Sequence, residues 1–196
     1  MEEARCEVIR FVGIDPATTT GFVALDETGK VLVATDIRGD GERVPGGIST
    51  QQLVSLENKL YRLLQQGDEI VKEDAAPGTQ KSITTGKIHG GIETMIERKG
   101  LAYNSLKPNS VKKYVGVTGW TGEQGQKRQL KEQEKKDAMA AAALAHFGFS
   151  HKSDNVVDAY IIARIAWNVY LYRELQQMVD TKPYQVEVVQ SILRER

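Results

Sequence analysis

Apolar residues fall into three short runs at the start of the chain and recur at helical spacing after it. The runs over 8–14, 20–26 and 30–35, separated by Thr-Gly and Glu27-Thr28-Gly29-Lys30 turns, predict an antiparallel meander. Gly39, Gly41, Gly46, Gly47 and Pro45 make 36–49 a loop, and Leu53, Leu56, Leu60, Leu63 and Leu64 then share one face of a helix over 50–66, with Gly67 as its stop. The strand over 69–73 follows a helical crossover, so it is expected to run parallel within the same sheet. After a Pro77-Gly78 turn, 79–98 reads as a helix with Ile83, Ile88, Ile92, Met95 and Ile96 inward. Gly86, Gly90 and Gly91 each cost that helix about 1 kcal/mol relative to alanine, which points to close backbone packing or an irregular segment.

A fifth strand over 101–106 leads to a short helix from Lys107-Pro108-Asn109-Ser110 to about Gly116. Residues 116–133 lack an apolar stripe and read as a loop grading into an exposed helix start. A helix over 135–147 ends at Gly148, and Ser153-Asp154 forms a cap for another over 155–178. A tail after Pro183 carries Val186, Val188, Val189 and Ile192 at amphipathic spacing. The sum is a mixed α/β sheet of five strands flanked by helices, with one domain over 1–178 and a helical tail over 179–196.

At 196 residues, 40% hydrophobic and 27% charged, the chain suits one ordinary globular domain. It shows no long apolar span and no signal pattern, so a cytoplasmic protein without membrane attachment is expected. The single cysteine, Cys6, excludes a disulfide framework within one chain, and His89, His146 and His151 lack metal-site spacing. Any metal would be held by oxygen, which favours magnesium or manganese. Net charge is zero but uneven: eight basic and fourteen acidic residues over 1–78, twelve and five over 79–136, six and seven over 137–196. A basic middle beside an acidic start fits a phosphate-gripping surface next to a carboxylate site, and it fits equally well helices with solvated lysine faces.

Candidate chemistry lies in the acids. The apolar run Phe11-Val12-Gly13-Ile14 ends in Asp15-Pro16, a turn starter, so Asp15 is expected where a buried strand leaves the sheet. Glu73 and Asp74 end a second strand on alternate faces, and Asp158 interrupts an apolar helical run, where an ionised carboxylate is costly unless paired or metal-bound. Two strand ends and one helix could supply such a partner jointly.

Taken in order, Gly13-Ile14-Asp15-Pro16 with Gly21, the strand-closing Glu73, Ser82-x3-Gly86-x3-Gly90, Pro108-x-x-Val111-Lys112, Lys136-x-x-Met139 and Asp154-x3-Asp158-Ala159 resemble the RuvC-type Holliday junction resolvases, and among these the phage-type branch. The resemblance covers roughly residues 8–166 and implies a ribonuclease H-like fold. It further implies a DNA endonuclease that cuts branched DNA as a homodimer, with carboxylates holding two Mg2+ ions, or Mn2+, for in-line hydrolysis. By resemblance Asp15 bridges the metals, Glu73 and Asp158 are further ligands, and the fourth comes from Asp154 or Asn155. Asp154 is the favoured fourth ligand, because a charged oxygen suits magnesium better than an amide, although it is also a candidate helix cap. Lys112 and Lys136 match family lysines near the reacting phosphate, Lys136 as a catalytic stabiliser of developing charge. Lys81, Lys87, Lys107, Lys113, Lys127, Arg128 and Lys131 complete the basic middle and are expected to grip DNA phosphates.

The family often places an aromatic residue after the strand-end glutamate. Here Asp74-Ala75-Ala76-Pro77 supplies none, and Trp120 and Tyr114 substitute by residue type alone. Two other readings stay open. Residues 13–21 also resemble the first phosphate loop of actin-like ATPases and sugar kinases, but those folds need a second glycine-rich loop and a larger two-lobed chain, neither visible here. A catalytically silent DNA-structure-binding module would keep the fold without needing all four acids.

Overall fold

The structure, a computed structural model, describes residues 9–42, 44, 45, 47–75, 82–122 and 126–194. Cys6, Val8, Gly46, the Pro77-Gly78 turn and Lys81 lie outside the described residues. Five strands, β1 (Arg10–Asp15), β2 (Thr19–Leu25), β3 (Val31–Arg38), β4 (Asp68–Glu73) and β5 (Tyr103–Leu106), form one sheet in the order β3-β2-β1-β4-β5. The meander forms as expected, with Ile14 opposite Phe22, and β4 lies parallel to β1, with Ile14 opposite Lys72.

Strand alternation divides the core into two. Val12, Ile14, Phe22 and Ile70 pack on one face against α1 (Thr50–Leu63) and α2 (Ser82–Arg98). Phe11, Val23 and Val71 pack on the other against α3 (Pro108–Tyr114), α4 (Glu132–Phe147), α5 (Asp154–Arg173) and α6 (Pro183–Arg194). Helix α5 is the largest contributor to that second cluster, with buried residues running from Val156 to Val169. At the strand starts Arg10 donates to both carboxylate oxygens of Asp68, at 2.7 and 2.8 Å, and to the Leu63 carbonyl at 2.9 Å. This buried fork ties β1, β4 and the end of α1 together. Among the described residues no helix is long and apolar enough to cross a membrane.

Several boundaries differ from the sequence reading. Helix α1 ends at Leu63 because Leu64 turns extended, and Gly67 instead supplies the left-handed turn into β4 at φ 83°. Ile83 is 77% exposed rather than inward. Of the three α2 glycines only Gly91 marks a close approach, where a Cβ would come 2.5 Å from Glu57 of α1; Gly86 and Gly90 face open space. The stretch read as loop holds a small hairpin, β6 (Trp120–Thr121) against β7 (Arg128–Gln129).

Helix α5 stops at Arg173, not near 178, because the following segment folds back on it. Buried Asp180 accepts hydrogen bonds from Tyr114, Arg164 and Asn168, and Asn168 Oδ1 in turn accepts the backbone N–H groups of Val179 and Asp180. This polar cluster seats α6, whose Val188, Val189 and Ile192 enter the same core as α5.

Candidate active site

Two glycines decide where the helical acids go. A Cβ on Gly13 would lie 2.1 Å from the Ala159 carbonyl oxygen, and one on Gly21 would lie 2.0 Å from that of Asn155. The α5 backbone therefore rests directly on β1 and β2. Asp158, which lies between those two contacts, is thereby carried to the end of β1, where Asp15 follows Phe11 and Gly13 on the same face. Glu73 shares the α5 face of β4 with Val71. Lys72 points the opposite way and, wholly buried, pairs with Asp74 at 2.9 Å and with Glu93 of α2 at 2.8 Å. Asp74, the neighbour that competed with Glu73 in the sequence, is thus engaged on the back of the sheet.

Asp15, Glu73, Asp154 and Asp158 line one cleft of about 310 Å³, together with Lys112 and Lys136. Asn155 lines it too, as do Glu132 and Lys135, which the sequence reading did not single out. Asp154 is not the helix cap: Ser153 holds that position and Asp154 is the first helical residue, its carboxylate 3.0 Å from Lys136 Nζ. Asp154 and Asn155 remain two candidates for one role.

The charges are poorly compensated. Burial first, then Glu73, Asp158 and Asp36, raise the pKa of Asp15 well above the carboxylate range. Burial and then Asp158 push Glu73 up to about 7, with Lys112 opposing. Asp158 is pushed up to about 6 by burial and then Asp154, opposed by Lys112 and Lys136. Asp36 is an acid the sequence reading passed over. It lies in one cross-strand row with Gly21 and Asp15, and its Oδ1 accepts a 2.8 Å hydrogen bond from Ser153 Oγ at the start of α5. Extending the third strand's alternation one residue beyond its apolar run would have found it.

Among the described residues, no three acidic, histidine or cysteine side chains stand close enough to hold one ion as placed. The donors nevertheless suit a hard divalent cation. They are all oxygen, and the carboxylates of Asp15, Glu73 and Asp158 accept no hydrogen bond among the described residues that would neutralise them.

The cations expected to meet DNA divide by position. Lys112 and Lys136 face the cleft. Lys113 points away and pairs with Glu187 of α6 at 2.6 Å, and Arg128 forks onto Glu134 of α4 at 2.6 and 2.7 Å. Lys107, Lys127 and Lys131 are exposed around α3, the hairpin and the start of α4, while Lys87 is exposed on α2, across the sheet from the cleft. Lys81 is not among the described residues. Tyr114 is fully buried with its hydroxyl on Asp180, so it offers no stacking surface; Trp120 is exposed.

No protein-family model and no curated protein sequence matches the chain. Among solved structures, RuvC of T. thermophilus in complex with Holliday junction substrate is similar, with a TM-score of 0.59 at 14% identity, over 85% of this chain and 96% of that one. Another Thermus thermophilus RuvC structure gives 0.51 at 17%, over 84% and 96%. These likenesses show the fold: the ribonuclease H-like mixed sheet with its flanking helices.

Proposed function

We propose that this protein is a structure-selective DNA endonuclease that resolves four-way junctions by paired nicks, with two divalent ions in each cleft. The observation that carries the reading is the meeting of carboxylates from β1, β4 and α5 with Lys112 and Lys136 in a single cleft. One of the structures sharing the fold is a RuvC bound to Holliday junction substrate. Asp15, Glu73, Asp158 and either Asp154 or Asn155 would hold the metals, Mg2+ or Mn2+. When bound, the ions would supply an activated water near neutral pH and charge stabilisation for the leaving oxygen.

The chain's own side chains do the rest. Lys112, half-buried at the cleft and within electrostatic reach of both Glu73 and Asp158, is suited to hold a non-bridging phosphate oxygen. Lys136, held by Asp154 and more basic for it, brings a fixed positive charge to where negative charge grows in the transition state. Symmetric nicks on two strands need two clefts, so a homodimer belongs to the proposal.

The test is a labelled synthetic four-way junction, incubated with and without Mg2+. Cleavage is expected only with the ion, and Asp15→Asn is expected to reduce it by at least about 100-fold while junction binding stays within a few fold. Nicking by Asp15→Asn at near wild-type rate would remove the assignment.

A further inference from the structure

We infer that the groove walled by Trp120 of β6 binds an unpaired nucleotide of the substrate, with the indole as the platform on which its base stacks. The inference deepens the nuclease reading and rests on it for the strand that reaches the cleft.

The two tryptophans of the chain have opposite surroundings. Trp167 is 8% exposed and stacks 5.8 Å from Phe11 in the core, whereas Trp120 is 54% exposed. An isolated exposed aromatic would mean little, but this one stands in a cationic setting. It walls a groove of about 630 Å³ that also takes in Lys112, Lys113 and Lys135, with no acidic residue among the described residues of its lining. Lys112 and Lys135 line the catalytic cleft as well, so groove and cleft are continuous. A second depression of about 540 Å³ also reaches Trp120 and adds Lys127, with no acid among the described residues that line it. Lys113 is partly spent on Glu187, but Lys112 and Lys135 form no ion pair among the described residues.

A row of lysines interrupted by an aromatic face is the arrangement that holds a single strand: the cations follow the phosphates and the ring takes a base. Base faces inside a duplex are covered by their neighbours, so along a strand it is an unpaired base that can meet the indole. The platform is also fixed relative to the cleft. Trp120 pairs with Gln129 across the hairpin, the Leu130 N–H donates to the Gly119 carbonyl at 2.9 Å, and Arg128 anchors β7 to Glu134 on the helix that carries Lys135 and Lys136. A strand leaving the cleft along Lys112 and Lys135 therefore reaches Trp120.

The experiment titrates the full chain with a 12-nucleotide oligodeoxythymidylate and, separately, with a 12-base-pair duplex, reading tryptophan fluorescence, and measures affinity independently by anisotropy of labelled DNA. The oligonucleotide is expected to quench fluorescence and the duplex to leave it nearly unchanged. Trp120→Ala is expected to abolish the quenching, keep the Trp167 emission of the folded protein, and weaken oligonucleotide binding by about 5- to 150-fold, with Trp120→Phe restoring part of the affinity. Unchanged affinity in Trp120→Ala, or equal quenching by duplex, overturns the inference. Junction cleavage by the wild type, run in parallel, separates the two readings: quenching without cleavage sinks the nuclease and spares the platform, and cleavage without quenching does the reverse.

Discussion

Glu73 and Asp158 hold charges that the fold makes costly, and that cost sets a pH response. Both pKa values stand above the ordinary carboxylate range, at about 7 and about 6, so between roughly pH 4 and pH 7 the folded protein binds more protons than the unfolded chain. Stability from these groups is therefore full at the acid end of the window and is lost as pH rises through the folded pKa values. In EDTA at pH 8, Glu73→Gln is expected to melt about 5 °C above wild type, with the gap closing towards pH 5 and Mg2+ narrowing it at pH 8 by stabilising the wild type. A gap independent of pH would mean that Glu73 is not strained. The fourth ligand is decided separately. Because Ser153 occupies the cap, Asp154→Asn should change the melting temperature little, yet it should lower cleavage at least about tenfold if its carboxylate serves the metal, with Asn155→Ala mild. The reverse pattern in that pair of variants assigns the role to Asn155. Asp15, Glu73 and Asp158 were legible because each acid broke an apolar run; Asp36 and Lys72 were not, since their meaning lies in a cross-strand row and a buried face.

At the scale of elements, the strands and most helices were readable from periodicity, but the reason for Gly13 and Gly21 was not. Their absent side chains matter only once α5 lies on them, a contact between segments more than a hundred residues apart. Gly21→Ala must move the α5 backbone at Asn155 rather than a flexible side chain, so a loss of about 3 kcal/mol or more is expected in denaturant unfolding. Gly86→Ala on the open face of α2 should instead gain up to about 1 kcal/mol. A Gly21→Ala variant as stable as wild type would show that α5 can lift off the sheet without cost. The early end of α5 was hidden for a related reason: the Asn168 and Asp180 cluster that folds the chain back is a tertiary arrangement with no local signature.

For the molecule as a whole, zero net charge hides a basic segment that the fold delivers mostly to one side. Helix α3, the hairpin and the start of α4 gather at the cleft, while α1 and α2 close the other face of the sheet. The sequence showed the imbalance, but not which lysines are already neutralised. Junction affinity is expected to fall steeply with salt. Lys112→Ala should reduce the slope of log K against log salt by about 0.9, whereas Lys113→Ala, already paired with Glu187, should reduce it much less. Equal reductions from the two would show that the α6 pair opens to bind DNA.

The sheet order also carries a history. Ile14 meets Phe22 across a short turn but meets Lys72 only after the whole α1 crossover has been laid down. Loop-closure entropy favours the nearer pairing, so the meander is expected to close first and β4 to dock later, a sequence readable as earlier amide protection in β2 than in β5 during refolding. Asp15 would then wait at the edge of a half-built sheet, hydrated and easily ionised, and would acquire its electrostatic burden only when Glu73 and the α5 backbone arrive.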